Sequence, residues 1–573
     1  MNAIVPKKVV GVAGAISDGN DERLFMALAE LYPVEFRRAD PCEFGSLNAL
    51  VVLDGDRATG LAAAARGLPC LVTDGRVGRS QVALPGELRF SASQVLDGYL
   101  RDRVMFVGTS NAPASELQVQ PGDEVVASIG GKPIWLSRSE GGTTLQIAGV
   151  SLPLIQANEL LFQHFNEERF VQLLPLMNFL SQLVRETNWR SNSLPACLVI
   201  DDPSLYRPSY GHLDFHRLAE HATKYNFFVS VATIPLDAWW VHRRVAETFR
   251  SFYPQLSILI HGNNHTARDL LLNGNGEVGL AVAAQALRRM DRLQQAHQLK
   301  VLRIMEPPHG AIADGLFPQL LALGYEATLG TTRLLVLHNP TKVWPASFGL
   351  GKSHILSGGM PVMPRIKMTP YWRNSVLIAA FLRQPIVIVL HHGDVADGYE
   401  RLVEIAEMIN QLEGVRWNSP LGIARSNYSE LCRQDSLTIK MYSRRILFSV
   451  PAGIKNISIH RPWVQDGSCD ELIIQHSDQE IFHESGPATL GPISMNSPGE
   501  LEVYAPPTNP VDYRTVPAPG LGCWPVTRKF LIEARDRSAP WRYVVRKFFG
   551  SHSTNDAERS AKGSRCSTQS EKR

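Results

Sequence analysis

Between residues 194 and 430 short apolar runs alternate with amphipathic helical stretches, and this rhythm limits the chain more than any other feature. Strands are expected at 196–200, 227–232, 256–260, 301–305, 325–329 and 386–390, with helices at 215–225, 278–297, 316–323 and 399–412. In the last helix Leu402, Ile405, Ala406, Ile409 and Leu412 share one face, the stripe that a helix buries against a sheet. Fully apolar strands joined by helix-length crossovers pair in parallel, because a parallel neighbour cannot be reached by a short turn. A (β/α) barrel is the architecture expected of such a run.

The flanks differ in pattern. At 573 residues the chain exceeds what one hydrophobic core supports. Residues 1–115 repeat the alternation on a smaller scale, with apolar runs at 9–12, 49–53 and 70–72 and helices at 21–31 and 61–65, as in a flavodoxin-like or Rossmann-like α/β domain. Gly11, Gly14 and Gly19 lack the G-x-G-x-x-G spacing and are read as turn glycines. Residues 116–193 read as a β region with turns at Gly130-Gly131 and Gly141-Gly142, followed by a helical connector over 160–183. The barrel is expected over 194–435. From 436 to 545 apolar residues recur at period two, as in Leu437, Ile439 and Met441, which implies an accessory antiparallel β-sandwich. Residues 546–573 are mostly Ser, Lys, Arg and Glu and are expected to be a disordered tail. The expected class is α/β: a central deformed barrel between an N-terminal α/β domain and a C-terminal β-sandwich.

A formal net charge of +3 supplies no field that would draw the chain onto nucleic acid or anionic lipid, so no nucleic-acid partner is expected. The seven cysteines stand singly with no C-x-x-C pair, and a disulfide framework or cysteine metal site is not implied. No run approaches the roughly 20 apolar residues of a spanning helix. The apolar run 9–16 follows Lys7 and Lys8 and ends in Ala13, Gly14 and Ala15, as a secretory signal does. Its glycines and the strand-turn-helix pattern it enters favour a first core strand, and a cytoplasmic location follows from that reading.

Chemistry concentrates where the central strands end. Run 196–200 leads into Asp201 and Asp202, 256–260 into His261, Gly262, Asn263, Asn264 and His265, 301–305 into Glu306, Pro307, Pro308, His309 and Gly310, and 386–390 into His391, His392, Gly393 and Asp394. In a parallel barrel the carboxyl ends of the strands meet at one face, so these groups converge there. Two histidines with a carboxylate make a facial ligand set that leaves positions open, the pattern of a catalytic metal site. The spacing H-x-x-x-H lacks the glutamate of the metalloprotease helix, and Gly262, Asn263 and Asn264 favour a turn.

Asp201-Asp202, His261-x-x-x-His265, Pro308-His309-Gly310 and Leu390-His391-His392, in this order, resemble the motifs of the polysaccharide deacetylase (NodB-homology) carbohydrate esterases over about residues 194–430. The resemblance implies a deformed barrel that removes acetyl groups from an acetylated saccharide or glycoconjugate with one divalent ion, commonly zinc. It implies Asp201 as general base, Asp202, His261 and His265 as metal ligands, and His392 or His391 as general acid, with Pro308, His309 and Leu390 at the substrate. Two positions depart from the family pattern. Glu306 stands where an arginine usually orients the base, with Arg303 and Arg365 open to replace it, and Gly262 stands where Ser or Thr is usual.

Other readings compete. Asp201-Asp202 before Pro203 can be a helix-cap device, and Asp201 with Glu306 is the one evident carboxylate pair for a glycosidase. A barrel that binds carbohydrate without turnover is the remaining alternative. Asp394 and Asp397 are read as caps of the helix after Tyr399. Trp239, Trp240, Trp344, Tyr371 and Trp372 are read as core plugs in barrel loops.

Overall fold

A computed structural model of the chain describes residues 5–543 apart from 15–19, 40, 54, 75–81, 83, 109–113, 192, 267–268, 272–275, 466–469, 496 and 521. Strand Lys8–Ala13 lies inside a nine-stranded sheet, paired in parallel with Val34–Arg38 and Ala49–Val52. Cys70–Thr73 and Thr143–Ala148 continue the parallel run, and Lys132–Glu140, Asp123–Ile129, Gly86–Phe90 and Val104–Val107 extend it antiparallel. The β region read from 116 onward is thus the far half of the first sheet. Of the connector, only Leu174–Leu183 is α-helical. Ahead of it, Asn166 accepts the Glu168 and Arg169 amides through its side chain, a local turn that competes with the helix.

Seven parallel strands close the central barrel: β1 (Leu194–Asp201), β2 (Val229–Thr233), β3 (Leu256–His261), β4 (Val301–Glu306), β5 (Ala327–Gly330), β6 (Met360–Lys367) and β7 (Ile386–His391). They follow one another around the ring, and β1 closes it by pairing with β2 through Leu198 and Val229. β6 is the strand missing from the sequence reading: Pro361 and Pro364 demote such a run in any pattern analysis. Cys197, Val199, Leu259, Ile304, Met363 and Val389 fill the lumen, while Leu198, Ile200, Ile258, Ile260 and Leu390 pack in the layer under the helices. Because side chains alternate with period two, Asp201, His261, Glu306, Arg365 and His391 continue the lumen series at the carboxyl rim.

Two four-stranded sheets follow, Tyr428–Arg433, Ser436–Met441, Asn456–His460 and Thr489–Ser494 in one and Arg445–Val450, Gly499–Tyr504, Asp470–His476 and Gln479–Gly486 in the other. Their inner faces share a separate core around Ile439, Phe448, Ile457 and Val503. The chain then returns to the barrel, where the Val511 amide donates to the Ala322 carbonyl at 2.8 Å. It ends its described part near helix Cys523–Arg537, which lies across the barrel mouth. No helix appears here in the sequence reading, for a physical reason. Arg528, Lys529 and Asp536 point to the barrel while Trp524, Phe530 and Leu531 are exposed, so the apolar face is not the buried one. The tail 546–573 lies outside the described residues. Helix Glu400–Asn410 has Tyr399 at its N-cap without a side-chain cap bond, so Asp394 and Asp397 are not its caps. Asp394 Oδ2 instead accepts the His391 amide. Among the described residues no helix is long and apolar enough to cross a membrane.

Candidate metal centre

β1 delivers Asp201 to the lumen side and Asp202 just beyond it. Asp202 adopts φ 77°, and His265 and His309 also lie in the left-handed region at 52° and 54°. Such conformations cost energy for residues with a Cβ and persist where surrounding structure holds them. For His265 that structure is visible. Asp269 accepts the Asn264 amide at 2.7 Å and the Thr266 amide at 3.0 Å, while Arg289 Nη1 donates to the side chains of Asn263 at 2.6 Å and Asn264 at 2.7 Å. Gly262, at φ 58°, packs its backbone against the Pro308 ring.

The result is a cluster of three ligand atoms. His261 Nε2 stands 3.2 Å and His265 Nε2 2.9 Å from Asp202 Oδ1. Tetrahedral coordination with bonds near 2.1 Å spaces its donors by about 3.4 Å, so the set has the dimensions of one cation's ligand face. The His261 Nδ1–H donates to the Glu306 carbonyl at 3.0 Å, which leaves Nε2 as the atom turned to Asp202. The Asp201-Asp202 pair caps no helix: Asp202 turns to the histidines.

Burial raises the Asp202 carboxyl, but its hydrogen bonds and charge contacts with His261 and His265 outweigh that and hold it well below its ordinary range. Burial pushes His261 down, yet the Asp202 hydrogen bond and the charges of Asp201 and Asp202 win over it and over Arg365, so the net shift is upward. In metal-free protein the His261 contribution to stability is therefore complete below the ordinary histidine pKa of about 6.5 and is lost as pH rises through the raised folded value. The Asp202 contribution is present above about 3.9 and is lost only as pH falls through its depressed value. Chelator-treated protein is expected to lose denaturant resistance as pH is raised above about 6.5, and His261→Gln to remove most of that loss. A midpoint that climbs over the same interval contradicts this ion-pair state.

Beneath the cluster, Arg365 enters from β6. Its Nη1 lies 3.6 Å from Asp201 Oδ2 and also pairs with Glu306, while Nε donates to Thr331 Oγ1 at 3.2 Å. Burial lowers the Arg365 pKa, and the Asp201 charge opposes that. Arg303 points the other way, to Asp291 at 3.7 Å. Glu306 is fully buried and offers a ligand atom within 4.8 Å of those of Asp201 and His261. Glu306 is closed off from solvent and engaged by Arg365, so it presents no carboxylate to a substrate, which speaks against the glycosidase pair.

The other expected site residues scatter around this centre. His309 is exposed overall, but its ring stands 5.3 Å from that of His265, and the partial desolvation there, followed by the His265 charge, lowers its pKa. Pro308 is buried against Gly262. Leu390 is a correction: it faces the outer layer at 0% exposure, because period two puts it opposite the lumen, and it cannot touch a substrate. His391 is exposed at the rim. His392 is half-buried against Tyr210 and His212, with Nε2 3.7 Å from Asp536 Oδ1.

Asp536 belongs to the mouth helix, which sequence reasoning missed together with Arg528 and Lys529. Arg528 donates to the His265 carbonyl oxygen and lies 3.0 Å from His265 Nδ1. Lys529 Nζ is 2.6 Å from Asp237 Oδ1, and burial, opposed by Lys529, raises the Asp237 carboxyl to about 6. Charged residues at helical spacing, Lys529, Glu533 and Asp536 at steps of four and three, were the available signal.

No family model and no curated protein sequence matches the chain. Among solved structures, the carbohydrate deacetylase Agd3 aligns over 86% of this chain and 99% of its own at 9% identity, with a TM-score of 0.47. A putative polysaccharide deacetylase from Mycobacterium smegmatis aligns over 41% and 91% at 12% identity and a TM-score of 0.30. A family 4 carbohydrate esterase from Streptomyces lividans in complex with acetate aligns over 40% and 94% at 13% identity and a TM-score of 0.26. None of these likenesses fixes an activity for this chain.

Proposed function

We propose that the chain is a metal-dependent hydrolase that removes acetyl groups from an acetylated saccharide or glycoconjugate. The observation that carries this reading is the convergence of His261 Nε2, His265 Nε2 and Asp202 Oδ1, two imidazoles and a carboxylate from distant segments, on one point beside a second carboxylate. Zinc is the natural occupant of such a donor set. Asp202, His261 and His265 would hold a divalent ion, which would supply Lewis acidity toward a water molecule and a carbonyl oxygen.

The chain's own residues supply the rest. Asp201 is next to the ligand set without belonging to it, so its carboxylate is placed to accept the water proton. Arg365, paired with both Asp201 and Glu306, orients Asp201, taking the place of the arginine absent from position 306. His392, held toward Asp536, is assigned the proton return to the leaving group, and His391 at the rim is the alternate donor. A buried carboxylate partner fixes an imidazole's orientation, which directed proton transfer to a leaving group requires.

Purified protein is expected to hold about one divalent ion per chain and to release acetate from acetylated chito-oligosaccharides or xylan. The His261→Ala, His265→Ala double variant is expected to lose both the ion, measured by elemental analysis, and the acetate release. Retention of a stoichiometric ion by that variant would remove the ligand assignment.

A further inference from the structure

Trp239 and Trp240, expected as core plugs, are 72% and 43% exposed. They follow Asp237 on the loop after β2. Tyr206, on the loop after β1, meets both indoles, with ring centroids 5.3 Å from Trp239 and 6.3 Å from Trp240. These rings, with Pro208, Arg207, His242 and Arg537, line an open cleft of about 660 Å³, and no carboxylate lines it among the described residues. That volume suits a ligand the size of one or a few sugar rings, since small-molecule sites span roughly 300 to 1,000 Å³.

The cleft is fixed to the metal centre. The Leu236 amide donates to the Asn263 carbonyl at 3.0 Å, between the two histidines in sequence, and the His242 amide donates to Leu205 at 2.9 Å, three residues after Asp202. Lys529 Nζ sits 4.6 Å from the Tyr206 ring centre and binds Asp237. Adjacent indoles left open to water forgo a large burial gain, about 25 cal/mol per Å² of apolar surface, which points to an occupant. A sugar ring offers a C–H face that meets the electron-rich face of an aromatic ring, while its substituents reach the polar rim. Here the rim is basic: Arg207 is exposed, and Arg537 extends from the mouth helix where it also pairs with Glu533.

We propose that this cleft is a subsite for an anionic saccharide, whose ring stacks on Trp239 and Trp240 and whose carboxylate or sulfate faces Arg207 and Arg537. The subsite names the substrate class of the hydrolase and rests on that reading for its link to the metal centre, though not for binding itself.

Calorimetric titration of the full chain with a galacturonate oligomer, a sulfated chito-oligosaccharide and its neutral counterpart tests this. An anionic oligomer is expected to bind more tightly than the neutral one, and whichever anion binds identifies the substituent. Trp239→Ala with Trp240→Ala is expected to weaken that binding about tenfold or more, the worth of two aromatic contacts. Arg207→Glu is expected to abolish the preference for the anion while neutral binding stays. Equal affinity of the wild type and the double tryptophan variant, or no preference for either anion, overturns the proposal. The His261→Ala, His265→Ala variant is expected to bind as the wild type does. Binding intact with no acetate release in the metal-loaded wild type therefore counts against the hydrolase alone.

Discussion

Replacing Asp201 by Asn is expected to lower kcat/KM for acetate release by about 10² to 10⁴, the usual worth of a general base, while the metal content stays unchanged. Asp201 is 5% exposed, its Oδ2 faces Arg365 at 3.6 Å, and its Oδ1 has no hydrogen-bond partner among the described residues. An oriented carboxylate with one oxygen uncommitted is what proton acceptance needs. The amide keeps the shape and loses the basicity, so the fold and the ligands Asp202, His261 and His265 are left in place. Elemental analysis and acetate release on the same preparation separate the two roles. Unchanged turnover in Asp201→Asn would reject the base assignment, whereas no acetate release from the metal-loaded wild type would favour a barrel that binds carbohydrate without hydrolysing it. Loss of metal together with activity would instead put Asp201 among the ligands.

Arg365→Met is expected to destabilise the protein by about 3 to 5 kcal/mol, the cost of removing one partner from a buried charge pair. The change leaves Glu306 fully buried, with Asp201 close by, and both carboxylates lose the guanidinium that pairs with them. Because Met fills a similar volume, little of the loss is a cavity effect. Adding Glu306→Gln to Arg365→Met is expected to recover a large part of it, since the second change removes the stranded charge. A double-mutant cycle in denaturant, on the metal-loaded protein, reads the coupling directly. A loss below about 1 kcal/mol in the single variant would show that the pair is not a buried ion pair in solution.

Much of the barrel was legible because its strands are continuous apolar runs, and a sheet covered on both faces demands those. Six of its seven strands appear in the sequence pattern. β6 does not, because Pro361 and Pro364 break the pattern while tertiary pairing with β5 and β7 still accommodates the strand. That omission hid the location of Arg365. The connector before the barrel and the mouth helix were misread for opposite reasons: Asn166 makes a turn inside an apolar stretch, and Cys523–Arg537 is a helix whose exposed face is the apolar one. Leu390 illustrates a finer limit, since motif position alone does not reveal which side of a strand a residue takes.

The sequence by itself determined the alternation of strand and helix and the polar residues waiting at the strand ends, since both follow from local periodicity and composition. The tertiary structure decided which of those residues meet. Ring closure and period-two alternation bring Asp201, His261, Glu306 and Arg365 to one rim, the left-handed turns at Asp202 and His265 aim their side chains together, and a helix more than 250 residues downstream of His265 supplies Arg528 and Asp536. Encounters of that kind depend on through-space distance, and no local property of the chain encodes it.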